Sequence, residues 1–377
     1  MPPTPTTDSI GETYYLKYQE LGSMRAVARF YGKTHQTVRR SIHAYERSNG
    51  LSEGIKDALN RTGLSADDAR FGYRRVKDPE TGSFNTVFWR APDFEPANFA
   101  DAIRDAMTDL PPAPRVELTA TPEKDIFTLI PIADAHIGLM AWGRETGEDW
   151  DTRKGAERLT TWVGQTLASL QPSARCVLLF AGDLLHADDG RAETPASKHR
   201  LDVDTRYFKM LEVTISTAAQ AVEMALARHE NVTARFLPGN HDPHAAVAVM
   251  MALGERYRNE PRVTVQQDPS EFYVQQFGQV LITAHHGHKA KADRMVHFIA
   301  DEYAPLWGKT RYRYLFTGHL HHHKSQDIGG MTWEQLPALT GRDAYTVSNA
   351  YASRARLIGI TYHRERGEIA RVIRSAE

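Results

Sequence analysis

Five short clusters of Asp, Asn and His residues recur in the second half of this chain, and each follows a run of apolar residues. In chain order they are Asp134-Ala-His136, Asp183-Leu-Leu-His186, Asn240-His241-Asp242, His285-His286-Gly-His288 and His319-Leu-His321. Carboxylate and imidazole groups without thiolates suit manganese, iron or zinc ions rather than a structural zinc site built from cysteines. The single cysteine, Cys176, lies in an apolar run and is expected to be a buried small hydrophobe.

Such ligands can hold two ions about 3.5–4 Å apart. The ions bind a phosphoryl group between them, lower the pKa of a bridging water so that it becomes hydroxide, and stabilise the leaving oxygen. Glycines precede Asp183, Asn240 and His319, and they would let the backbone turn tightly and approach the ions. One cluster alone is weak evidence, because Asp-x-His occurs by chance in most proteins of this length. All five in order, each after an apolar run, leave little room for a purely structural explanation.

The elements that must position these clusters can be predicted from the apolar runs. Short β-type runs occupy residues 126–132, 176–180, 232–237, 280–283 and 312–316, with helical periodicity at 160–170 and 207–228 and a closing hairpin at 357–362 and 369–373. Alternating strands and helices predict an α/β layered core. Because the carboxyl ends of the strands converge on one edge of such a core, we expect the five clusters to meet there.

The ordered clusters resemble those of the calcineurin-like metallophosphoesterases, from about residue 125 to the end of the chain. The resemblance implies two facing mixed β-sheets flanked by helices, with the site on the loops at one edge. It also implies a role for each ligand. The first ion would be bound by Asp134, His136 and His321, the second by Asn240, His286 and His319, and both by Asp183.

The resemblance implies catalytic residues as well. His241 would act on the transition state or the leaving group, oriented by Asp242. His286 is preferred to His285 as the ligand because it directly precedes Gly287, as in the family pattern, and His285 would then be a packed neighbour. Manganese is the expected metal, with iron, zinc and magnesium as alternatives, because cells decide among them by supply.

The block from Gly182 to His186 is similar to the Gly-Asp-Leu-Phe-His block of SbcCD-type DNA repair nucleases. This similarity implies that His186 is a second catalytic or substrate-orienting histidine, and a hydrogen bond to a ligand is the alternative. The polar segment that follows carries cations that could contact a phosphate backbone or simply face solvent. These are Arg191, Lys198, His199 and Arg200, and Arg342, Arg354 and Arg356 near the end of the chain allow the same two interpretations.

Residues 1–50 are predicted to form three short helices, with a turn at Gly32 before the third, as in a helix-turn-helix. Seven Lys and Arg against three Glu between Gly11 and Ser48 give a local charge of +4, which suits phosphate contacts. Protein–protein docking is the alternative. The face expected to meet DNA consists of His35, Gln36, Thr37, Arg39, Arg40 and His43.

Residues 51–124 are predicted to connect this all-α domain to the α/β domain at 125–377, through a β-hairpin at 71–76 and 84–89, a helix around 99–107 and a proline-rich linker.

A net charge of −1 gives no global attraction to nucleic acid or membrane. The chain has no stretch of about 18 apolar residues and no secretory pattern at its start, so a cytoplasmic setting is expected.

The preferred interpretation is a two-metal phosphodiester hydrolase, specifically a DNA nuclease placed on DNA by the helix-turn-helix. A phosphatase or nucleotide phosphodiesterase that uses the helical domain for assembly is the first alternative. A DNA-binding regulator with a vestigial site is the second, disfavoured because every expected ligand is present. The combination of domains is similar in style to phage or prophage proteins, and association into a homo-oligomer is left open.

Overall fold

The structure is a computed structural model that describes residues 10–21, 23–49, 71–77, 84–90 and 113–376. The chain divides into two compact units, Met1–Phe99 and Ala100–Glu377. This division lies within the region that the sequence predicts as a connection. The predicted helix around 99–107 lies outside the described residues.

The first unit contains three helices, α1 (Ile10–Leu21), α2 (Met24–Tyr31) and α3 (His35–Asn49). Helix α2 begins at Ser23, whose hydroxyl accepts the Ala26 N–H, and ends at Gly32, which adopts a left-handed φ of 64°. Helix α3 begins after Thr34, whose hydroxyl accepts the Thr37 N–H at 3.1 Å. The end at Gly32 is the turn that the sequence predicts.

A small apolar core joins the three helices. Its buried members are Tyr14, Val27, Ala28, Val38 and Ile42. Phe30 of α2 is 58% exposed, with the Lys17 ammonium 4.2 Å from its ring centroid. The same unit contains the predicted antiparallel hairpin, formed by β1 (Phe71–Lys77) and β2 (Phe84–Arg90).

The second unit alternates strands and helices. In chain order they are β3 (Glu123–Ile132), α4 (Gly143–Thr146), α5 (Thr152–Ser169), β4 (Ser173–Phe180), α6 (Tyr207–Leu226), β5 (Asn231–Phe236), α7 (Ala245–Arg256), β6 (Val263–Gln266), β7 (Tyr273–Phe277), β8 (Val280–His285), α8 (Ala292–Glu302), α9 (Ala304–Lys309), β9 (Tyr312–Thr317), β10 (Lys324–Ile328), β11 (Met331–Gln335), α10 (Ala344–Ser348), β12 (Arg356–His363) and β13 (Gly367–Ser375).

These strands form two mixed sheets. The six-stranded sheet has the order β13-β12-β3-β4-β5-β6, parallel from β3 to β6 and antiparallel at β12 and β13. The five-stranded sheet has the order β10-β11-β9-β8-β7, parallel from β11 through β9 to β8 and antiparallel at both edges.

The two sheets face each other across one apolar core. Leu129 and Leu179 of the six-stranded sheet belong to the same buried cluster as Ile282 and Phe316 of the five-stranded sheet. Helix α5 packs on β12 and β13, and α6 packs on β4 and β5. Helix α8 covers the other face of the five-stranded sheet, where Met295 contributes to a second buried cluster. The predicted fold, two facing mixed sheets flanked by helices, is confirmed.

Helices within the described ranges fall short of a membrane span, because none is both long enough and apolar enough to cross a bilayer.

Candidate metal centre

The loops that follow β3, β4 and β5 in one sheet and β8 and β9 in the other carry the five clusters, and their side chains meet at one edge of the core. Ligand atoms lie within 4.8 Å of one another inside three groups of described residues, two of which consist of predicted ligands and the third of His136, His186 and His241. The first group is Asp134, His136 and His321, and the second is Asp183, His286 and His319. The structure thus brings together the side chains that the sequence predicts as ligands.

The backbone is strained at the ligands themselves. Non-glycine residues rarely adopt a positive φ, which costs about 1–3 kcal/mol each, and such strain collects at functional sites. The described residues with this conformation include five predicted ligands, Asp134 (51°), His136 (44°), Asp183 (50°), His319 (75°) and His321 (57°). The left-handed turns aim consecutive side chains toward the same centre, so the strain serves the geometry of the site.

The first group surrounds one carboxylate. The Nε2 atom of His321 lies 3.3 Å from Asp134 Oδ1 and 3.2 Å from His136 Nε2. The backbone N–H of His319 donates to both oxygens of Asp134, at 3.1 and 3.0 Å. The carboxylate is therefore held in place by a loop from the opposite sheet, while its charge remains directed at the two imidazoles.

Asp183 connects the two groups through a single oxygen. Its Oδ1 accepts the backbone N–H of His241 at 2.8 Å. Its Oδ2 lies 3.1 Å from His286 Nε2 in the second group and 3.9 Å from His136 Nε2 in the first. Asn240 completes the second group, with its Oδ1 atom 3.1 Å from His286 Nε2. Asp183 Oδ2 is thus placed to serve two cations at once.

The second group has the donor chemistry of a cation site. His286 donates its Nδ1–H to the carbonyl of Ala181 at 2.9 Å, so the neutral ring presents a lone pair at Nε2 to the oxygens of Asp183 and Asn240. Lone pairs that face each other require a proton or a cation between them. Burial alone would lower the pKa of His286, but the Asp183 carboxylate outweighs it and raises that pKa to about 10. A divalent ion bound between these atoms would meet the same need as a proton.

His136 is prepared as a neutral ligand. Burial and the neighbouring charge of His241 hold the pKa of His136 well below its usual value. The uncharged imidazole is the form that binds a metal ion. The ligand set present, two carboxylates, four imidazoles and one amide oxygen, therefore fits two divalent cations.

His186 lies behind the ligands. It is 3% exposed, and its Nδ1 lies 3.2 Å from Nδ1 of His136. Its carbonyl oxygen lies 2.9 Å from Nδ1 of His241. These contacts suit the alternative, a hydrogen bond to a ligand, and the catalytic or substrate-orienting role that the similarity implies stays a prediction. Burial, with the charge of His241, lowers the pKa of His186 to about 3.

Asp242 does not orient His241 as the resemblance implies. Its buried carboxylate accepts backbone N–H groups of Asp183 (3.2 Å), Leu185 (3.0 Å) and Gly239 (3.0 Å). It therefore ties the loop after β4 to the loop after β5, and the carbonyl of His186 holds the His241 ring instead. Burial and the adjacent Asp183 carboxylate raise the pKa of Asp242.

The glycines before three ligands make room for other ligands. A Cβ on Gly182 would overlap the His286 ring, and one on Gly239 would overlap the Asp183 carboxylate. A Cβ on Gly318 would lie 2.6 Å from Asp134 Oδ2. Only Gly182, with a φ of 94°, also needs the left-handed conformation. These glycines admit the side chains that surround the ions, which refines the expectation that they serve a tight turn.

The adjacent residues His285 and His286 make different contacts. His285 points away from the ligand groups, because its Nδ1 accepts the Gly287 N–H at 2.9 Å and its ring lies 4.7 Å from that of Phe272. His286 is the residue that reaches Asp183. Asp188, which the sequence analysis did not single out, is buried and accepts the N–H groups of His244 and Ala245, each at 2.8 Å. Its position two residues after His186 was the sequence feature that could have identified it.

The predicted nucleic-acid contacts are only partly free. In the loop after β4, Arg191 pairs with Asp189 at 2.5 Å and Lys198 with Glu193 at 3.3 Å, whereas His199 and Arg200 are exposed. On α3, Gln36, Thr37 and Arg40 are exposed, and His35 and Arg39 are half-buried. The side chain of His43 lies outside the described part of the chain.

No family model matches this chain, and a search of curated proteins finds no similar sequence. Three solved structures illustrate the distant likenesses that were found. An archaeal phosphodiesterase is 9% identical over 66% of this chain and 99% of its own, with a TM-score of 0.33. A predicted phosphoesterase from Streptococcus pneumoniae TIGR4 is 11% identical (67% and 98%, TM-score 0.28). Vps29 from Entamoeba histolytica, complexed with zinc, is 14% identical (66% and 98%, TM-score 0.26).

Proposed function

We propose that this chain is a two-metal phosphodiester hydrolase of the calcineurin-like metallophosphoesterase type. The observation that carries the proposal is the position of Asp183 Oδ2, which faces His286 Nε2 at 3.1 Å and His136 Nε2 at 3.9 Å. One carboxylate oxygen between two sets of imidazole and carboxylate ligands is the arrangement required for two ions to share a bridging ligand.

The predicted ligands form two sets, one for each ion. Asp134, His136 and His321 would hold one ion, Asn240, His286 and His319 the other, and Asp183 both. When bound, the two ions would neutralise the phosphoryl oxygens and lower the pKa of a water molecule between them. With His136 bound to an ion through Nε2, its Nδ1–H would donate to His186 Nδ1, as metal-binding histidines commonly do to an outer partner.

His241 is the proposed proton donor. Its Nδ1 is engaged with the carbonyl of His186, so Nε2 is the nitrogen left for the substrate. The ring is half-buried and lies 4.6 Å from the ring of His136, which places it beside the first ligand group. A protonated His241 would donate to the leaving oxygen as the P–O bond breaks.

We propose nucleic acid, specifically DNA, as the substrate. The support comes from the exposed polar residues of α3, from the local charge of +4 in the first 50 residues, and from the similarity of the Gly182–His186 block to DNA repair nucleases. A helix-turn-helix would position the enzyme through phosphate contacts, and its affinity would fall with salt.

The activity is tested first on small esters, with manganese and with EDTA. Bis-p-nitrophenyl phosphate should be hydrolysed only with metal, and labelled single- and double-stranded DNA should be nicked or degraded under the same conditions. Hydrolysis of p-nitrophenyl phosphate alone would indicate a monoester phosphatase. Hydrolysis of small diesters with every DNA form intact would reject the nuclease proposal and keep the diesterase.

The targeting role is tested by deleting residues 1–50. DNA affinity and its dependence on salt should fall, while turnover of bis-p-nitrophenyl phosphate should be retained, because counterion release requires the cationic side chains. Arg40→Gln removes one exposed cation of α3, and exposed Lys309→Gln in the second unit is a matched control. Unchanged DNA binding after the deletion would favour the assembly role instead.

A further inference from the structure

A cavity of about 370 Å³ lies beside the first ligand group. Its walls come from residues near α4, from α5 and from the segment between β11 and β12. The backbone N–H of Thr340, which lines it, donates to the carbonyl of Asp134 at 3.2 Å. The cavity therefore begins one hydrogen bond away from the backbone of a predicted metal ligand.

Positive charge predominates in this cavity. Arg158, Arg342 and Arg354 line it, and among the described residues Glu148 is the one acidic lining residue, 3.7 Å from the Arg158 guanidinium. Arg342 donates to the carbonyl of Thr146 at 3.0 Å. Within the described ranges no carboxylate lies within ion-pair distance of Arg342 or Arg354. Two guanidinium groups are thus available to an anion, and guanidinium is the group that best matches phosphate oxygens.

One of the three arginines, Arg158, is held in place by the fold, whereas Arg342 and Arg354 are exposed. The Arg158 guanidinium lies 4.0 Å from the centroid of the Trp150 ring, and 14% of its side chain is exposed. Gly341 is needed beside this ring, because a Cβ there would lie 2.8 Å from Trp150 ring atoms. The aromatic ring and the guanidinium therefore fix each other, which keeps one cation in place before any ligand binds.

Two lining residues also have buried polar atoms without a hydrogen-bond partner in the described part of the chain. They are the indole nitrogen of Trp150 and the hydroxyl of Thr340, in residues that are 3% and 5% exposed. Buried donors normally have partners, so an unpaired donor is a sign of a missing ligand or water.

We infer that this cavity binds a second phosphate group of the substrate, next to the phosphodiester held at the metal centre. The inference rests on the proposed function and narrows it. A polynucleotide carries a neighbouring phosphate on each side of the bond that is cut, whereas a simple phosphomonoester carries none. The volume also accommodates more than one phosphate group, since pockets for small organic ligands begin at about 300 Å³.

The test compares substrates that share one scissile bond. Thymidine 5′-(p-nitrophenyl phosphate) has no second phosphate, and the same compound with a 3′-phosphate has one; the isomeric pair, with the ester at the 3′ position, covers the other chain direction. With manganese, the wild-type protein should prefer a substrate with the second phosphate by about tenfold in kcat/KM, the effect expected of charge-assisted hydrogen bonds.

The double variant Arg342→Gln/Arg354→Gln should bring this ratio close to one. Arg356→Gln is the matched control, because Arg356 is the first residue of β12, directly after this segment, and does not line the cavity; it should keep the wild-type ratio. If wild-type protein cleaves these esters without preferring a second phosphate in either direction, the cavity inference is overturned and the diesterase proposal stands.

If no ester is cleaved, the proposed function fails and the cavity is judged by binding alone. Calorimetry with inorganic phosphate and EDTA-treated protein should then show binding to wild-type protein and to Arg356→Gln, and loss of binding in the double variant. Equal heats for all three proteins, or none for wild type, would reject the phosphate cavity.

Discussion

The two ends of the parallel strands in the six-stranded sheet both bury histidine, with opposite consequences. At the carboxyl end, nitrogen and oxygen lone pairs face each other, as between His286 Nε2 and Asp183 Oδ2 at 3.1 Å. At the amino end, His229 is fully buried, and its Nδ1 accepts the Ser173 N–H at 3.0 Å. The first arrangement needs a cation and the second is satisfied by the protein, at one of its two nitrogens.

The backbone conformation also differs between the two ends. Five ligands of the metal centre, which the loops of both sheets form, have a positive φ, whereas His229, Ser173 and Arg262 at the amino end do not. The Arg262 guanidinium there donates to main-chain carbonyls, including those of Glu230 at 3.0 Å and Val116 at 2.8 Å. Burial of histidine is therefore no mark of function by itself. Function is indicated instead by lone pairs that face each other and by a strained backbone. Each of these two features destabilises the fold, so selection for stability alone would remove it.

The largest expected effect at the carboxyl end comes from Asp183→Asn. The amide keeps an oxygen for the His241 N–H but removes the charge that both ligand groups share. Turnover of bis-p-nitrophenyl phosphate should fall by about a thousandfold, since metal-mediated charge stabilisation is worth several kcal/mol. Bound manganese, measured by elemental analysis after gel filtration, should fall as well.

Asp293→Asn is the matched control for this substitution, because it neutralises an exposed carboxylate in the first turn of α8. It should leave turnover and metal content unchanged. Both variants should unfold cooperatively by circular dichroism. Full activity and full metal content in Asp183→Asn would contradict the shared-oxygen geometry and remove the main distinction between the two ends of the sheet.

His241→Gln should show the next largest effect, and the effect should depend on the leaving group. Glutamine cannot transfer a proton, so cleavage of DNA, whose leaving oxygen is strongly basic, should slow by about a hundredfold or more. A p-nitrophenyl ester should be affected much less, because its leaving group departs without a proton. Metal content should stay at the wild-type level. An equal loss on both substrates would argue against proton donation.

His186→Ala should have a smaller effect that acts through the metal. Loss of the contact to His136 should raise the manganese concentration for half-maximal activity by about tenfold, the usual cost of removing an outer partner. Saturating manganese should restore most of kcat, and His186→Gln, which retains an acceptor, should lie between the two proteins. A low kcat at saturating manganese with an unchanged metal requirement would instead make His186 a catalytic residue.

Much of the fold could be predicted because the central strands are buried on both faces. Strands β3, β4, β5, β8 and β9 appear in the sequence as apolar runs, and each lies where it was predicted, extended by a few residues. Strand β10 was not predicted, because its residues Lys324–Ile328 are polar and mostly exposed at an edge of the sheet. Its place depends on pairing with β11, which the sequence pattern does not show.

The ligands could be located because metal chemistry restricts residue types and strand ends restrict position. The contacts of Asp242 and the space left by Gly239 could not, since both depend on how loops from different strands pack. The cavity beside Asp134 was equally hidden. Its arginines lie between Arg158 and Arg354, almost 200 residues apart in the sequence, and only the fold brings them onto one wall.

The smallest effect on turnover is expected at the amino end, where His229→Asn should leave activity and metal content unchanged but alter stability with pH. Burial lowers the pKa of His229 from 6.5 to about 4. Above pH 6.5 the residue is neutral in both the folded and the unfolded chain. Between 6.5 and 4 only the unfolded chain takes up the proton, so the contribution of His229 to stability is lost as the pH falls through this window.

A gap of this size corresponds to about 3 kcal/mol. Asparagine at 229 retains an oxygen as an acceptor for the Ser173 N–H and does not titrate. The difference in unfolding free energy between wild type and variant, from urea titrations of metal-free protein, should therefore shrink or reverse from pH 7 to pH 4. A constant difference over that range would mean that His229 ionises freely in the folded chain, and the contrast between the two ends of the sheet would then lie in the strained backbone alone.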